Sequence, residues 1–534
     1  MNSLIEKIKN MDKDEIISLS HEIREIILNS SSLRRNTHFS SNLGNVESIC
    51  CLFKIFDFNK DKIFFDVGHQ CYAYKYITGR NINNIKDKND ISGFTDRFES
   101  KFDFNCAGHA STSIGYAIGS SYNSSGENIA YIGDGSFSSC LSLGSLNYIT
   151  NKIIIILNDN NMSISKTIGS LTKENNSIKK ICDLYNIKYL EVLDGNNVES
   201  VLEAYKVAKT NKTAVLIHLH TIKGLGFEDA ENDKVGIYHK LCNPNSDKSC
   251  SSKVKAIIED VVKKRSDSLI VCPATGIFLN SNVDNNKIIN VGINEELATV
   301  IASGMASSQL HPILSLNSSF TNRAADQIIY ELALNEWSSL VLIDKTGLIG
   351  FDGKTHQGLY DETLLINTPN CVITMPSNAI QIKDIVNESY SFDGPTVIRF
   401  NDEIIPEEGV KSINRKWICY SNKSKNAVVT FGPTVNDVLK LCRLNNFDLI
   451  EALYLSEIDN NIDILLGYEK IIIYNPYSTD KGFANALIGC LIEKGFKGVI
   501  KKKCVPLKFI EHASKENQIT ECGLNIESIF DELK

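Results

Sequence analysis

The feature that most constrains this chain is a series of short aliphatic runs, each ending at a cluster of Gly, Asp, Asn or His. Residues 63–65, 129–132, 153–157 and 215–219 follow this rule, with helical stretches between them. Such strand–loop–helix alternation indicates a parallel sheet covered by helices on both faces. Ligands of these sheets gather beyond the carboxyl ends of the strands, and the unusual residues of this sequence fall there. A second alternating block has strand candidates at 288–291, 340–343, 372–375 and 397–400, and a third at 427–430 and 471–474. Ahead of them, residues 14–28 read as an amphipathic helix, with Ile16, Leu19, Ile23, Ile26 and Ile27 at near-helical spacing. The polar, turn-rich stretch 243–249 reads as a linker. With 534 residues the chain is too long for one core, and three α/β domains are expected.

Composition narrows the function classes. A net charge of −8 argues against a nucleic-acid partner, which calls for a basic face. The longest aliphatic run, 153–157, is far short of a membrane span of ~20 residues. The start of the chain lacks the apolar stretch of a signal peptide. Fifteen cysteines, none in Cys-x-x-Cys spacing, give no disulfide or zinc framework and suit reduced thiols in a cytoplasm.

The strongest chemical signal is Gly133-Asp134-Gly135 followed by Asn158-Asp159-Asn160, each directly behind a strand candidate. Flanking glycines let backbone approach a phosphate, and Asp134 offers a hard oxygen to a divalent cation. Asn160 offers a neutral oxygen, and the Met162 carbonyl a third. One carboxylate, one amide, one carbonyl and a diphosphate suit Mg2+. Each triplet alone is also an ordinary turn former; the ordered pair behind two strands favours the metal–diphosphate reading. His218 and His220 are spaced for one strand face and, with no third ligand in nearby sequence, are read as structural.

This pairing resembles the diphosphate motif of thiamine-diphosphate enzymes, and further segments resemble the 1-deoxy-D-xylulose-5-phosphate synthase family. They are Asp66-Val67-Gly68-His69-Gln70, Gly108-His109-Ala110-Ser111-Thr112-Ser113, the stretch from Asn158 to Ser165, Thr355-His356-Gln357-Gly358 after Asp352-Gly353, and Phe509-Ile510-Glu511-His512. The resemblance spans nearly the whole chain in the family's order. It implies three doubly wound α/β domains: a diphosphate domain over 1–245, a pyrimidine domain over 246–405 and a transketolase C-terminal-like domain over 406–534. It also implies thiamine diphosphate and Mg2+ as cofactors, with Asp134, Asn160 and Met162 on the metal. His69, Gly108, His109, Ala110, Gly135, Ser136, Asn160, Met162, Phe227, Glu295 and Phe320 would contact the cofactor. His38, His69, His109 and His356 would orient donor and acceptor and shuttle protons, although a lone histidine is more often a surface or core residue.

Glu295, in Asn294-Glu295-Glu296-Leu297, aligns with the glutamate that activates the cofactor in this family, where a carboxylate on the pyrimidine ring promotes its imino tautomer. The competing reading is an acidic helix start, and Glu296 is assigned that role. Phe320 would stack on the aminopyrimidine, or else be an ordinary core residue. Arg323, Lys345, Asp352 and Arg399 would shape the acceptor site and grip its phosphate.

Departures from the family concentrate in that acceptor half. Asn317 stands for a tyrosine, Lys345 for an arginine, and Asn401-Asp402-Glu403 for Pro-Arg-Gly. Gly144 replaces a glutamate, Phe227 lacks a tyrosine hydroxyl, and most of an insertion after Ser165 is missing. The expected activity is condensation of pyruvate with D-glyceraldehyde 3-phosphate by a homodimer. A transketolase-type ketol transfer and a cofactor-binding pseudoenzyme are the alternatives.

Overall fold

Every predicted run forms a strand in the structure, a computed structural model that describes residues 3–30, 38–83, 90–162, 169, 171, 176–233, 246–274, 276–278, 281, 283–421 and 423–530. Residues 163–165 of the Asn-Asp-Asn segment and 243–245 of the linker lie outside the described residues. The chain divides into two compact units, Met1–Asn243 and Pro244–Lys534.

The first unit holds one parallel sheet built from β1 (Lys62–Phe65), β2 (Asn128–Gly133), β3 (Ile154–Asp159), β4 (Lys188–Val192) and β5 (Val215–His220) in the order β1-β2-β3-β5-β4. Because strand side chains alternate between faces, one hydrophobic cluster takes Phe65, Tyr131, Ile156 and Ile217 and the other takes Phe64, Ile132, Leu157 and Leu216. Helices cover both faces. The predicted amphipathic helix is Lys13–Asn29, opened by a capping box in which Asp12 accepts from the Glu15 N–H and Glu15 accepts from the Asp12 N–H.

The second unit holds two sheets. The first combines β6 (Ser268–Cys272), β7 (Ile288–Asn290), β8 (His311–Asn317), β9 (Ser339–Asp344), β10 (Val372–Thr374) and β11 (Pro395–Arg399), all parallel, in the order β10-β11-β9-β8-β6-β7. The strand order reverses between β6 and β8, which opens a crevice at the carboxyl ends. The other combines β12 (Ile418–Cys419), β13 (Asn426–Thr430), β14 (Asp448–Glu451), β15 (Lys470–Thr479) and β16 (Val499–Val505) in the order β12-β14-β13-β15-β16, with β12 antiparallel. The boundary read near residue 405 falls between these sheets. Their facing sides nonetheless share one core, which includes Val341, Ile343, Val397, Val429, Ile450 and Ile473.

At the end of β11 the structure corrects one expectation. Arg399 is fully buried: its Nε donates to Asp361 Oδ2 at 2.6 Å, Nη1 to Glu362 Oε2 at 2.8 Å, and Nη2 to Asp361 Oδ1 and the Tyr477 carbonyl at 3.2 Å each. Four of its five N–H groups are taken by two carboxylates and a carbonyl, and the side chain is wholly buried, so Arg399 cannot reach a substrate phosphate and is a structural residue. Arg399→Ala is expected to destabilise the second unit by about 3–5 kcal/mol, because two carboxylates stay buried and uncompensated. Lys345→Ala, at a half-exposed pair with Asp402, is expected to cost about 0–1 kcal/mol. Urea unfolding of both variants measures the contrast.

Candidate active site

In the first unit, register brings the two signature triplets together. β2 and β3 are parallel neighbours with Gly133 opposite Asn158, so Asp134 and the Asn158–Met162 loop leave the same end of the sheet. Asp134 opens the one-turn helix Asp134–Phe137 with Gly135 and Ser136, all three buried. Beyond β3 the loop curls through two side-chain turns: Asp159 Oδ1 accepts from the Asn161 N–H at 2.9 Å, and Asn160 Oδ1 from the Met162 N–H at 3.1 Å. Asn158 is committed to packing, donating to Gln70 at 2.9 Å and accepting from the Thr221 hydroxyl at 2.6 Å. Asp134, Asn160 and Met162 thus stand at one sheet end as a set of hard oxygens.

The histidine loops are fixed by buried polar contacts. The Asp66 carboxylate accepts backbone N–H groups of Ser111 at 2.7 Å and Ser113 at 3.0 Å, which clamps the Gly108–His109–Ala110 stretch to the end of β1. Desolvation raises the Asp66 pKa despite those bonds. Asn42 donates to the carbonyls of His38 at 2.9 Å and His69 at 2.6 Å, and the two imidazoles lie 4.8 Å apart, with His38 edge-on to Phe94. Phe227 turns its ring edge-on to Phe39 at the border of the core.

Lys223 is a site residue that motif reading passed over. It is buried after β5, and desolvation lowers its pKa to about 8 while the charges of Asp134 and Asp233 oppose the shift. Its one sequence signal is Lys223-Gly224-Leu225-Gly226 immediately behind a strand.

In the second unit, Glu295 is the first residue of the helix Glu295–Ser307 and is 1% exposed. Burial pushes its carboxyl up to about 7, against the pull of the Arg323 guanidinium 3.6 Å away. Its Oε2 has no hydrogen-bond partner among the described residues. Glu296 is half-buried and 4.0 Å from Arg323. Phe320 and Arg323 lie one turn apart on the helix Ser318–Gln327. Phe320 meets His356 edge-on at 5.5 Å, and Thr355 Oγ1 holds His356 Nδ1 at 2.8 Å.

The loop carrying Asp352 and His356 is locked in place at two glycines. A Cβ on Gly353, at φ +64°, would stand 3.0 Å from His512, and one on Gly358 would stand 2.0 Å from the Lys345 carbonyl oxygen. Lys345 itself, at φ +60°, forms an ion pair with Asp402, in the segment that replaces the family's Pro-Arg-Gly. Of the expected phosphate grip, Arg399 is consumed in the core, Lys345 is paired, and Arg323 stands beside Glu295.

A family model described as 1-deoxy-D-xylulose-5-phosphate synthase matches residues 2–181, and one described as the transketolase pyrimidine binding domain matches residues 255–406. The 1-deoxy-D-xylulose-5-phosphate synthase of Clostridium tetani is 32% identical, covering 98% of this chain and 97% of its own. The chain belongs to the 1-deoxy-D-xylulose-5-phosphate synthase family. A synthase from Geobacillus sp. is 30% identical over 99% of this chain and 97% of its own. Among solved structures, the transketolase of Campylobacter jejuni aligns over 98% of this chain and 100% of its own, at 14% identity and a TM-score of 0.48. Membership in the synthase family makes this chain an enzyme of the transferase class. Among the described residues, no helix is long and apolar enough to cross a membrane.

The raised pKa of Glu295 sets a pH signature. Folding raises this carboxyl from 4.5 to about 7, so below pH 4.5 both states are protonated and its burial carries no ionisation penalty. As pH climbs through that window the unfolded state ionises first and stability falls, reaching a penalty of about 3 kcal/mol above pH 7. Glu295→Gln, neutral throughout, is expected to gain stability relative to the parent over this interval and then level off. Denaturant titrations of the ligand-free protein from pH 4 to 8.5 measure it, and a difference that does not change with pH would contradict the assignment.

Proposed function

We propose that the chain is a thiamine-diphosphate-dependent transferase that joins pyruvate to D-glyceraldehyde 3-phosphate, releasing carbon dioxide and 1-deoxy-D-xylulose 5-phosphate. The observation that carries this reading is Glu295, a buried carboxyl near neutral pKa with one oxygen that finds no hydrogen-bond partner among the described residues. Such a group is fitted to share a proton with a ring nitrogen of an aminopyrimidine. The cofactor, when bound, supplies the carbanion chemistry that no side chain offers.

The chain's own residues divide the remaining work. Asp134, Asn160 and the Met162 carbonyl would hold Mg2+ and through it a diphosphate; their hard-oxygen donor set fits that ion, and the Lys223 ammonium adds charge against the anion. Gly108, Ala110, Gly135 and Ser136 let backbone approach the cofactor closely, Phe227 borders it, and Phe320 offers a face to the pyrimidine. His38, His69, His109 and His356 orient the substrates and move protons, and Asp352 and Arg323 bound the acceptor pocket. The working form is a cytoplasmic homodimer.

The engagement of Lys345 by Asp402 and of Arg399 by Asp361 and Glu362 favours a second reading. It is a ketol transferase whose acceptor relies less on a phosphate grip than glyceraldehyde 3-phosphate does.

Calorimetry is expected to show uptake of thiamine diphosphate in the presence of Mg2+. Glu295→Ala is expected to retain that uptake while turnover falls at least about a hundredfold. No uptake by the parent protein would sink the reading. Product analysis with pyruvate and a panel of phosphorylated and unphosphorylated aldehydes separates the two acceptors.

A further inference from the structure

Strand order in the first sheet assembles a cluster that no motif announces. β5 lies between β3 and β4, with His220 opposite Asp159 and His218 opposite Glu191. Residues paired across parallel strands point to the same face, and so do residues two apart on one strand. Asp159, His218, His220, Glu191 and Tyr189 therefore all project from one side. No third candidate ligand stands near the two histidines in sequence, but the fold brings one beside them: Asp159, 59 residues upstream of His218.

The donor atoms of Asp159, His218 and His220 lie within 4.8 Å of one another. His218 Nε2 is 2.8 Å from Asp159 Oδ2, and His220 Nε2 is 3.2 Å from Glu191 Oε1. Two features favour a ligand over a mere hydrogen-bonded cluster. Tyr189 Oη sits 2.8 Å from His218 Nδ1, so it can accept Nδ1–H and present Nε2 as a lone-pair donor, the outer-shell arrangement of metal-bound imidazole. The cluster also lines a cavity of about 330 Å3 together with Asp134. Its inner pair, His218 and Asp159, is 7% and 13% exposed, and its outer pair, His220 and Glu191, is 33% and 38% exposed, which gives one anchored side and one open to solvent.

We propose that Asp159, His218, His220 and Glu191 form a binding site for a divalent first-row transition-metal ion of the zinc type. Two imidazoles and two carboxylates make a borderline donor set that suits zinc or cobalt over magnesium or calcium. A tetrahedral ion with bonds of about 2.0–2.1 Å holds its ligands roughly 3.4 Å apart, close to the 2.8 Å and 3.2 Å that already separate the His218–Asp159 and His220–Glu191 pairs. An ion there ties β3, β4 and β5 together where the Asn160 loop departs. The site does not depend on the thiamine-diphosphate reading.

Chelator-treated full-length protein is titrated with Zn2+ or Co2+ under excess Mg2+, which keeps the hard-oxygen site from taking the probe. One equivalent of Co2+ is expected to bind with the visible d–d absorption of a four-coordinate ion, and Zn2+ to displace it and raise the melting temperature. His220→Gln and Glu191→Gln, both at the exposed side, are expected to weaken Zn2+ at least about tenfold, and Tyr189→Phe by about tenfold. His21→Gln, on a surface helix of the same unit, is expected to bind as the parent does. No uptake by the parent, or parent-like affinity in both His220→Gln and Glu191→Gln, would overturn the proposal and leave a plain histidine–carboxylate hydrogen-bond cluster.

Discussion

The second unit is organised around a guanidinium that water does not reach. Arg399 joins the end of β11 to the first turn of the helix Asp361–Leu365 and, through the Tyr477 carbonyl, to β15. Glu362 extends the link by accepting from Asn475 and from the Phe483 N–H, and Asp361 by accepting from the Ser318 hydroxyl at 2.6 Å. Desolvating three charges is costly, and the arrangement holds because nearly every lone pair and N–H is matched. Ser318 begins the helix that bears Phe320 and Arg323. The placement of both candidate ligand residues is therefore inherited from a fully buried ion cluster.

The first unit positions its chemistry by different means. Its polar residues stand at the ends of adjacent parallel strands, so register does the placing, and short side-chain turns at Asp159 and Asn160 shape the loop between. Positive charge enters through Lys223, which is buried, so that desolvation lowers its pKa. Rigid strands and pre-bent loops suit cation and diphosphate binding, where donor geometry matters more than adaptability.

How much could be read from sequence followed the strength of the local signal. Aliphatic runs flanked by turn residues all became strands, because a fully buried parallel strand admits little else. β4, Lys-Tyr-Leu-Glu-Val, escaped notice as an edge strand with exposed positions, and β8, which opens with His-Pro, hid its apolar run behind polar punctuation. Glu295 was picked out by its match to the family's glutamate, but its burial, and the Oε2 that finds no hydrogen-bond partner among the described residues, are tertiary facts. Arg399 was misjudged because closing a strand looks the same in sequence whether the side chain faces a cleft or a neighbouring sheet. The partners of His218 and His220 were invisible for a related reason: strand order, not chain distance, decides who faces whom.

Gly358 carries a lesson for reading divergent relatives. Its hydrogen sits where any larger substituent would collide with the Lys345 carbonyl, at a crossing sealed by paired bonds between Gly347 and Gly358. A copy that had lost all catalysis yet still folded would keep this glycine. Retention of the His-Gln-Gly signature therefore certifies a backbone crossover, and only the histidine within it speaks to chemistry.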